Sequence, residues 1–170
     1  CVYPGSIIVT EPSALLAPTS FTPVSCNGGN DGTATVTVSG GTPLYSYLWD
    51  DPGAQTTSLA TGVPAGTYNC TVTDANNCST TVSATVTEPP VCSATTTSTP
   101  ASCSGGMDGT ATVTASGGVA PYSYLWSTGS TSTSISNLYA ATYSCIVIDA
   151  NSCSTTVNVT ITAPSALLAP

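Results

Sequence analysis

One stretch of turn, strand and turn occurs twice in this chain: CNGGNDGTATVTVSGG at 26–41 returns as CSGGMDGTATVTASGG at 103–118. Self-similarity at a fixed spacing constrains the fold strongly, because each copy must be one supersecondary unit with its own face to bury. Cys26 and Cys103 stand 77 residues apart, as do Trp49 and Trp126, and the Glu11-Pro12 and Glu88-Pro89 pairs. Later anchors are 75 apart: Tyr68 with Tyr143, Cys70 with Cys145, Cys78 with Cys153. The shortened spacing is assigned to TSLATGVPAGTYNC against TSISNLYAATYSC, a connection where length changes cost little. A longer offset of 152 relates EPSALLAP at 11–18 to APSALLAP at 163–170, and Cys1 to Cys153. The expected layout is therefore residues 1–11 as the last strand of a preceding repeat or an N-terminal arm, 12–88 and 89–163 as repeats, and 164–170 as the start of a following repeat or a C-terminal arm. Such a chain is either a window on a longer tandem array or a subunit whose ends complete its neighbours.

Within a copy the pattern has period two. TATVTVS (33–39) sets Ala34, Val36 and Val38 on one face, and TYNCTVT (67–73) sets Tyr68, Cys70 and Val72 together. TTVSATVT (80–87) aligns Val82, Ala84 and Val86, and YSYLW (45–49) aligns Tyr45, Tyr47 and Trp49. Alternation of β-branched residues with no 3.6-residue period predicts antiparallel sheet, one face buried and one wet. NGGNDG, SGGTP, GVPAG and DANN punctuate it as turns. Six or seven short strands in about 75 residues predict an all-β chain of two tandem immunoglobulin-like β-sandwich repeats, with a terminal strand or arm at each end. Trp49 and Trp126 are the expected core centrepieces, and Tyr68 and Tyr143, two residues before a cysteine, the expected tyrosine corners. A domain of this size buries a marginal core, so a disulfide worth about 2–4 kcal/mol is a plausible staple.

Composition removes whole classes of function. The chain has no Lys, Arg or His, and its eight carboxylates give a net charge of −8. Without His or Lys it lacks the usual general bases and amine nucleophiles, so no catalytic residue is assigned. Without Arg or Lys it cannot clamp phosphate, and nucleic acid or an anionic membrane surface would be repelled. Eight cysteines with no C-x-x-C pair point to disulfides in an oxidising, extracellular setting and not to zinc. No apolar run suits membrane insertion and no signal peptide is visible.

Cys-Asn-Gly-Gly-Asn-Asp-Gly, alternating Thr/Val, Ser-Gly-Gly-Thr-Pro, Tyr-Ser-Tyr-Leu-Trp, Ala-Gly-Thr-Tyr and Val-Thr-Asp-Ala-Asn-x-Cys, in that order, closely resemble the SprB-type repeat found in tandem in large surface adhesins of gliding Bacteroidota. The resemblance spans both copies almost end to end. It implies a secreted module of immunoglobulin-like or PKD-like fold on the outer surface of a Gram-negative cell, exported by the type IX route and without catalysis or cofactor. Met107 in place of Asn30, Ala140-Ala141-Thr142 in place of Ala65-Gly66-Thr67, and above all the extra cysteines depart from the family pattern.

The resemblance implies the pairs Cys26–Cys78 and Cys103–Cys153. Immunoglobulin topology argues instead for Cys26–Cys70 and Cys103–Cys145, because Cys26 precedes the turn into the second strand while Cys78 follows the last hairpin turn, at the other end. Connectivity is not readable from sequence alone. Under the first pairing Cys70 and Cys145 face inward as core thiols or seek partners; Cys92 then pairs with Cys145, and Cys1 and Cys70 become candidates for bonds to another repeat or subunit.

The remaining signals have plain readings. Asp50-Asp51, Asp31, Asp108, Asp74 and Asp149 read as turn formers and not as a calcium cage, since no ligand set has suitable spacing. Asn69, Asn77 and Asn158 lie in N-x-S/T sequons but read as surface asparagines. The expected function is a structural repeat of a filament or adhesin whose partner is itself, by tandem linkage or β-strand addition. The rival expectation is a module that binds a glycan or surface through loops at one end of each sandwich.

Overall fold

The computed structural model describes residues 10–166, and among them every regular element is a strand. The chain divides into two compact units at Thr87/Glu88, with one exchange: Ser25–Asn27 groups with the second unit, away from its flanking sequence. Residues 1–9 of the expected N-terminal strand or arm (1–11) and residues 167–170 of the C-terminal arm lie outside the described residues.

The first unit contains β1 (Thr19–Thr22), β2 (Gly32–Val36), β3 (Ser46–Trp49), β4 (Leu59–Val63), β5 (Gly66–Thr73) and β6 (Ser79–Val86). They form two three-stranded antiparallel sheets, ordered β1-β2-β4 and β3-β5-β6. This is the A-B-E and C-F-G division of an immunoglobulin-type sandwich without its D strand. The second unit repeats it with β7 (Ser93–Thr99), β8 (Gly109–Ser116), β9 (Ser123–Trp126), β10 (Ser134–Leu138), β11 (Ala141–Ile148) and β12 (Ser154–Ile161). Its sheets run β7-β8-β10 and β9-β11-β12. The fold is two tandem immunoglobulin-like β-sandwiches.

The period-two pattern explains the burial. Ala34, Val36, Tyr68, Cys70, Val72, Ala84 and Val86 face one core, and Ala111, Val113, Cys145, Val147, Val159 and Ile161 the other. Trp49 and Trp126 are almost fully buried. Each indole N–H donates to a backbone carbonyl, Thr57 at 2.9 Å and Ser132 at 2.8 Å, so a large ring enters the core with its one polar atom satisfied. The tyrosine corners close as drawn from the sequence. The Tyr68 hydroxyl donates to Pro64 C=O at 2.9 Å and the Tyr143 hydroxyl to Tyr139 C=O at 3.2 Å. Tyr68 is buried, whereas Tyr143 is half-exposed.

Two local differences between the units follow from single residues. Pro18 stands where the second unit has Thr95. Proline has no N–H to give the ladder, so the first strand is interrupted into an isolated Leu16–Ser39 bridge and β1, while β7 runs unbroken. The two-residue deletion is not in the stretch assigned from sequence. It lies directly after the tryptophan: Trp49 N–H donates to Gln55 C=O, and its counterpart Trp126 N–H to Ser130 C=O. In the second unit Gly129, at φ 84°, lets the loop close early. The longer loop of the first unit is instead organised by Asp51, a buried carboxylate that accepts from Gly53 N–H, Gln55 N–H and Gln55 Nε2, each at 2.9 Å.

Candidate functional site

The best-built polar feature of each unit is the hairpin turn that presents a cysteine. In the second unit the turn joins β11 to β12 through Asp149-Ala-Asn-Ser-Cys153. Ser152 takes the left-handed conformation at φ 68°, and Asp149 N–H donates to Cys153 C=O at 2.9 Å. The buried Asp149 carboxylate accepts from Val119, Asn151 and Cys153 N–H, all at 2.9 Å. Burial works to raise its pKa, but those three N–H groups outweigh it and hold the carboxyl below its ordinary value. Gly118, at φ +58°, is required at this point, because a Cβ there would lie 2.6 Å from Asp149 Oδ2.

The first unit builds the same cradle at Asp74-Ala-Asn-Asn-Cys78. Asp74 accepts from Thr42 N–H at 2.8 Å and from Asn76 and Cys78 N–H at 2.9 Å. Its pKa is lowered, chiefly by the Thr42 N–H. Asn77 is the left-handed residue at φ 65°. Both turns thus hold a cysteine by its own backbone N–H.

Their sulfurs have different fates. Cys153 is disulfide-bonded to Cys26, across 127 residues of sequence and a Cα–Cα distance of 5.7 Å. Cys26 belongs to the first sequence copy, but its short segment packs with the second unit. Two amides frame the bond: Asn151 Nδ2 donates to Ser25 C=O at 2.8 Å, and Asn27 Nδ2 to Pro89 C=O at 3.1 Å. Cys78, Cys103, Cys92, Cys70 and Cys145 are free thiols, and Cys1 lies outside the described residues.

This pairing replaces both expected ones. Val24 N–H bonds Thr87 C=O, just past the end of β6, which sets Cys26 near that end. Cys78 stands at the start of the same eight-residue strand. A strand of that length is about 26 Å long, whereas bridged Cα atoms must lie within about 7 Å. Cys103 and Cys153 are separated along β12 in the same way, since Ala101 N–H bonds Thr162 C=O. The immunoglobulin-type pairing fails as well. Cys70 and Cys145 sit mid-strand, opposite Trp49 and Trp126 in register. The facing sheet offers Ala34 and Val36, or Ala111 and Val113, and no cysteine. Both thiols are fully buried and their pKa values are raised by burial. Cys92 does not reach Cys145 because it adjoins Gly118 and Asp149, four residues further along the strand. Burial, and then the Asp149 charge, raise its pKa.

The other sequence candidates are absorbed locally. Asp50 accepts from Asn69 N–H and Asn69 Nδ2, both at 2.7 Å, and the side-chain bond leads in lowering its pKa. For Asp51 burial raises the pKa, but the bonds from Gln55 and Gly53 lower it further. Asp108 accepts from Ser102 N–H. Asn69, Asn77 and Asn158 are exposed. Among the described residues no three His, Cys, Asp or Glu side chains converge to hold a metal, and no helix is long and apolar enough to cross a membrane. The Asp-Ala-Asn-x-Cys cradle was visible in the sequence only as a turn. Its signal was the recurrence of that aspartate, together with the paired glycines, in both copies.

The SprB repeat family model matches two segments of the chain, residues 19–54 and 95–131. No curated protein matches it. Solved structures similar to it include DIP-gamma IG1+IG2, at 12% identity and TM-score 0.45 over 89% of this chain and 98% of that one. The fibronectin(III)-like modules of Clostridium thermocellum CbhA match at 12% identity and TM-score 0.35, over 88% and 95%. A Dscam structure on isoform specificity matches at 15% identity and TM-score 0.36 over 91% of this chain. The chain spans about half of that Dscam structure (47%) and a quarter (25%) of an eight-domain DSCAM structure.

Proposed function

We propose that this chain, which carries two SprB repeats, is a non-catalytic structural module of an extracellular filament or large cell-surface adhesin, strung head to tail as a rod of disulfide-stapled β-sandwiches. The observation that carries the reading is the Cys26–Cys153 bond, which ties one sequence copy covalently to the next. A repeat array whose units touch only their neighbours gains cooperativity from such links, and the bond requires the oxidising setting that the cysteine usage indicates. Two further features support it. SprB repeats and immunoglobulin-like folds are typically structural and occur in cell-surface proteins. Four carboxylates that could serve a ligand, Asp50, Asp51, Asp74 and Asp149, are taken up by turns and strand ends. Tyr45, Tyr47 and Trp49, and their counterparts Tyr122, Tyr124 and Trp126, are the aromatic stripes suited to a sugar platform; they pack against the two cores, which weighs against the glycan-binding reading.

Imaging of cells that make the protein, labelled with antibody to this chain, tests the proposal. The expected result is surface rods with a regular axial repeat. Label confined inside the cell would overturn it, and diffuse surface label with specific binding on a glycan array would favour the adhesive alternative.

A further inference from the structure

The Cys26–Cys153 joint has two unfilled counterparts. By the internal repeat, Cys103 corresponds to Cys26 and Cys78 to Cys153. Both are exposed thiols. The surroundings are also equivalent. In the bonded joint, Ser25–Asn27 lies against Pro89 and the Asp149 cradle, beside which stand Gly118 and Cys92. The corresponding residues of the first unit, Glu11, Pro12, Leu15, Gly41, Asp74 and Cys78, line an open cleft. At the other half, Ser102, Cys103 and Ser104, the counterparts of Ser25, Cys26 and Asn27, line a second open cleft with Pro164–Ala166. The first cleft has its receptor already assembled, with Cys78 N–H held at 2.9 Å by Asp74 and Asn77 already left-handed. The Asn76 amide, counterpart of the Asn151 amide that bonds Ser25, is turned to Thr42 Oγ1 at 2.8 Å.

We propose that Cys78 and Cys103 are the two halves of the same disulfide joint, completed between copies: Cys103 of one copy bonds Cys78 of a second copy of this chain. The Cys-x-Gly-Gly turn of one seats in the Asp74 cleft of the other, as the Cys26 turn seats on the Asp149 cradle. Cys103 thiolate attacks a small disulfide such as oxidised glutathione and releases one thiolate. Cys78 thiolate then attacks the mixed disulfide at the Cys103 sulfur and releases the second. One S–S bond forms, two thiols lose two protons and two electrons, and the small disulfide is reduced to two thiols. The contact is heterologous and does not pair like with like, so it propagates into a chain. Ser104 lacks the amide with which Asn27 holds Pro89, so this joint has one hydrogen bond fewer.

The proposal rests on the structural-repeat reading, and its test is independent of cell-surface imaging. The full chain, with Cys1→Ser throughout to remove that thiol, is incubated in glutathione redox buffer at about 1 mM, the effective concentration a short linker supplies. Bonds are mapped by mass spectrometry after peptic digestion, because trypsin has no Lys or Arg to cut. The expected result is a ladder of covalent oligomers carrying a Cys78–Cys103 bond. Cys78→Ser and Cys103→Ser should each remain monomeric, and their mixture should stop at the dimer. Both positions are exposed, and unchanged tryptophan fluorescence verifies that the variants fold. A ladder that survives Cys78→Ser, persistent thiols at 78 and 103, or Cys92 replacing Cys26 as the partner of Cys153 overturns the proposal. If rods are seen on cells while the chain stays monomeric here, the joint is wrong and the structural reading stands.

Discussion

Replacing Cys26 and Cys153 together by serine should destabilise the second unit far more than the first. Closing a loop of about 100 residues is worth ~4.7 kcal/mol of unfolded-chain entropy, and one of 15 residues ~3 kcal/mol. The bond closes 127 residues when both units unfold. When only the second unfolds, the flexible part is roughly half as long, because Val24 remains bonded to Thr87 in the folded first unit. The logarithm compresses that difference to about 0.5 kcal/mol. Native disulfides commonly deliver about 2–4 kcal/mol of the entropic figure. For a unit of this size that lowers Tm by about 10–25 °C. The sequence provides the reporters, one tryptophan per unit. In a Trp49→Phe background the fluorescence of Trp126 follows the second unit, and in a Trp126→Phe background Trp49 follows the first. The expected outcome is a large fall in the Trp126 transition and a shift of under about 3 °C in the Trp49 transition. Equal shifts in both, or no shift in either, would refute the assignment of Ser25–Asn27 to the second unit as a source of its stability.

Three further outcomes are expected. Tyr68→Phe should cost about 1 kcal/mol, the net worth of one hydrogen bond; Tyr143→Phe should cost less, since its bond is longer and more exposed, and denaturant midpoints in the two single-tryptophan backgrounds measure both. Thiol titration of the native protein should label Cys78 and Cys103 quickly and Cys92 more slowly, leaving Cys70 and Cys145 unreactive until denaturant is added; fast native labelling at Cys70 would contradict its burial. Asp50, Asp51, Asp74, Asp108 and Asp149 all have lowered folded-state pKa values. Their stabilisation is therefore fully present above the unfolded carboxylate value of about 4 and is lost as pH falls through the lower folded values. The denaturation midpoint should be level from pH 7 to about 5.5 and fall below about pH 4, although protonation also relieves the repulsion of eight negative charges. A midpoint that rises steadily on acidification would show that repulsion dominates.

The sequence by itself determined the repeat, the strand class and the inward face of nearly every strand, because a period of two and a recurring turn chemistry are local properties. Trp49, Trp126 and the tyrosine corners were legible for the same reason: each motif sits within a few residues of its partner. The absence of basic residues likewise narrowed function before any fold was known. What the sequence could not place was anything set by where strand ends meet in space. The disulfide is the clearest case. Both pairings considered from sequence stayed within one copy, yet an eight-residue strand separates Cys26 from Cys78, and mid-strand burial removes Cys70. Only the tertiary structure draws Ser25–Asn27 onto the second unit, where the aspartate cradle holds Cys153 within bonding distance. The loop deletion was misplaced on a smaller scale, since the turn bonds that mark equivalent positions, Trp49 N–H to Gln55 C=O and Trp126 N–H to Ser130 C=O, are fixed by backbone conformation and not by any residue shared between the two loops. Alternation is written residue by residue along the chain, whereas a bond across 127 residues depends on how the ends of folded strands come together.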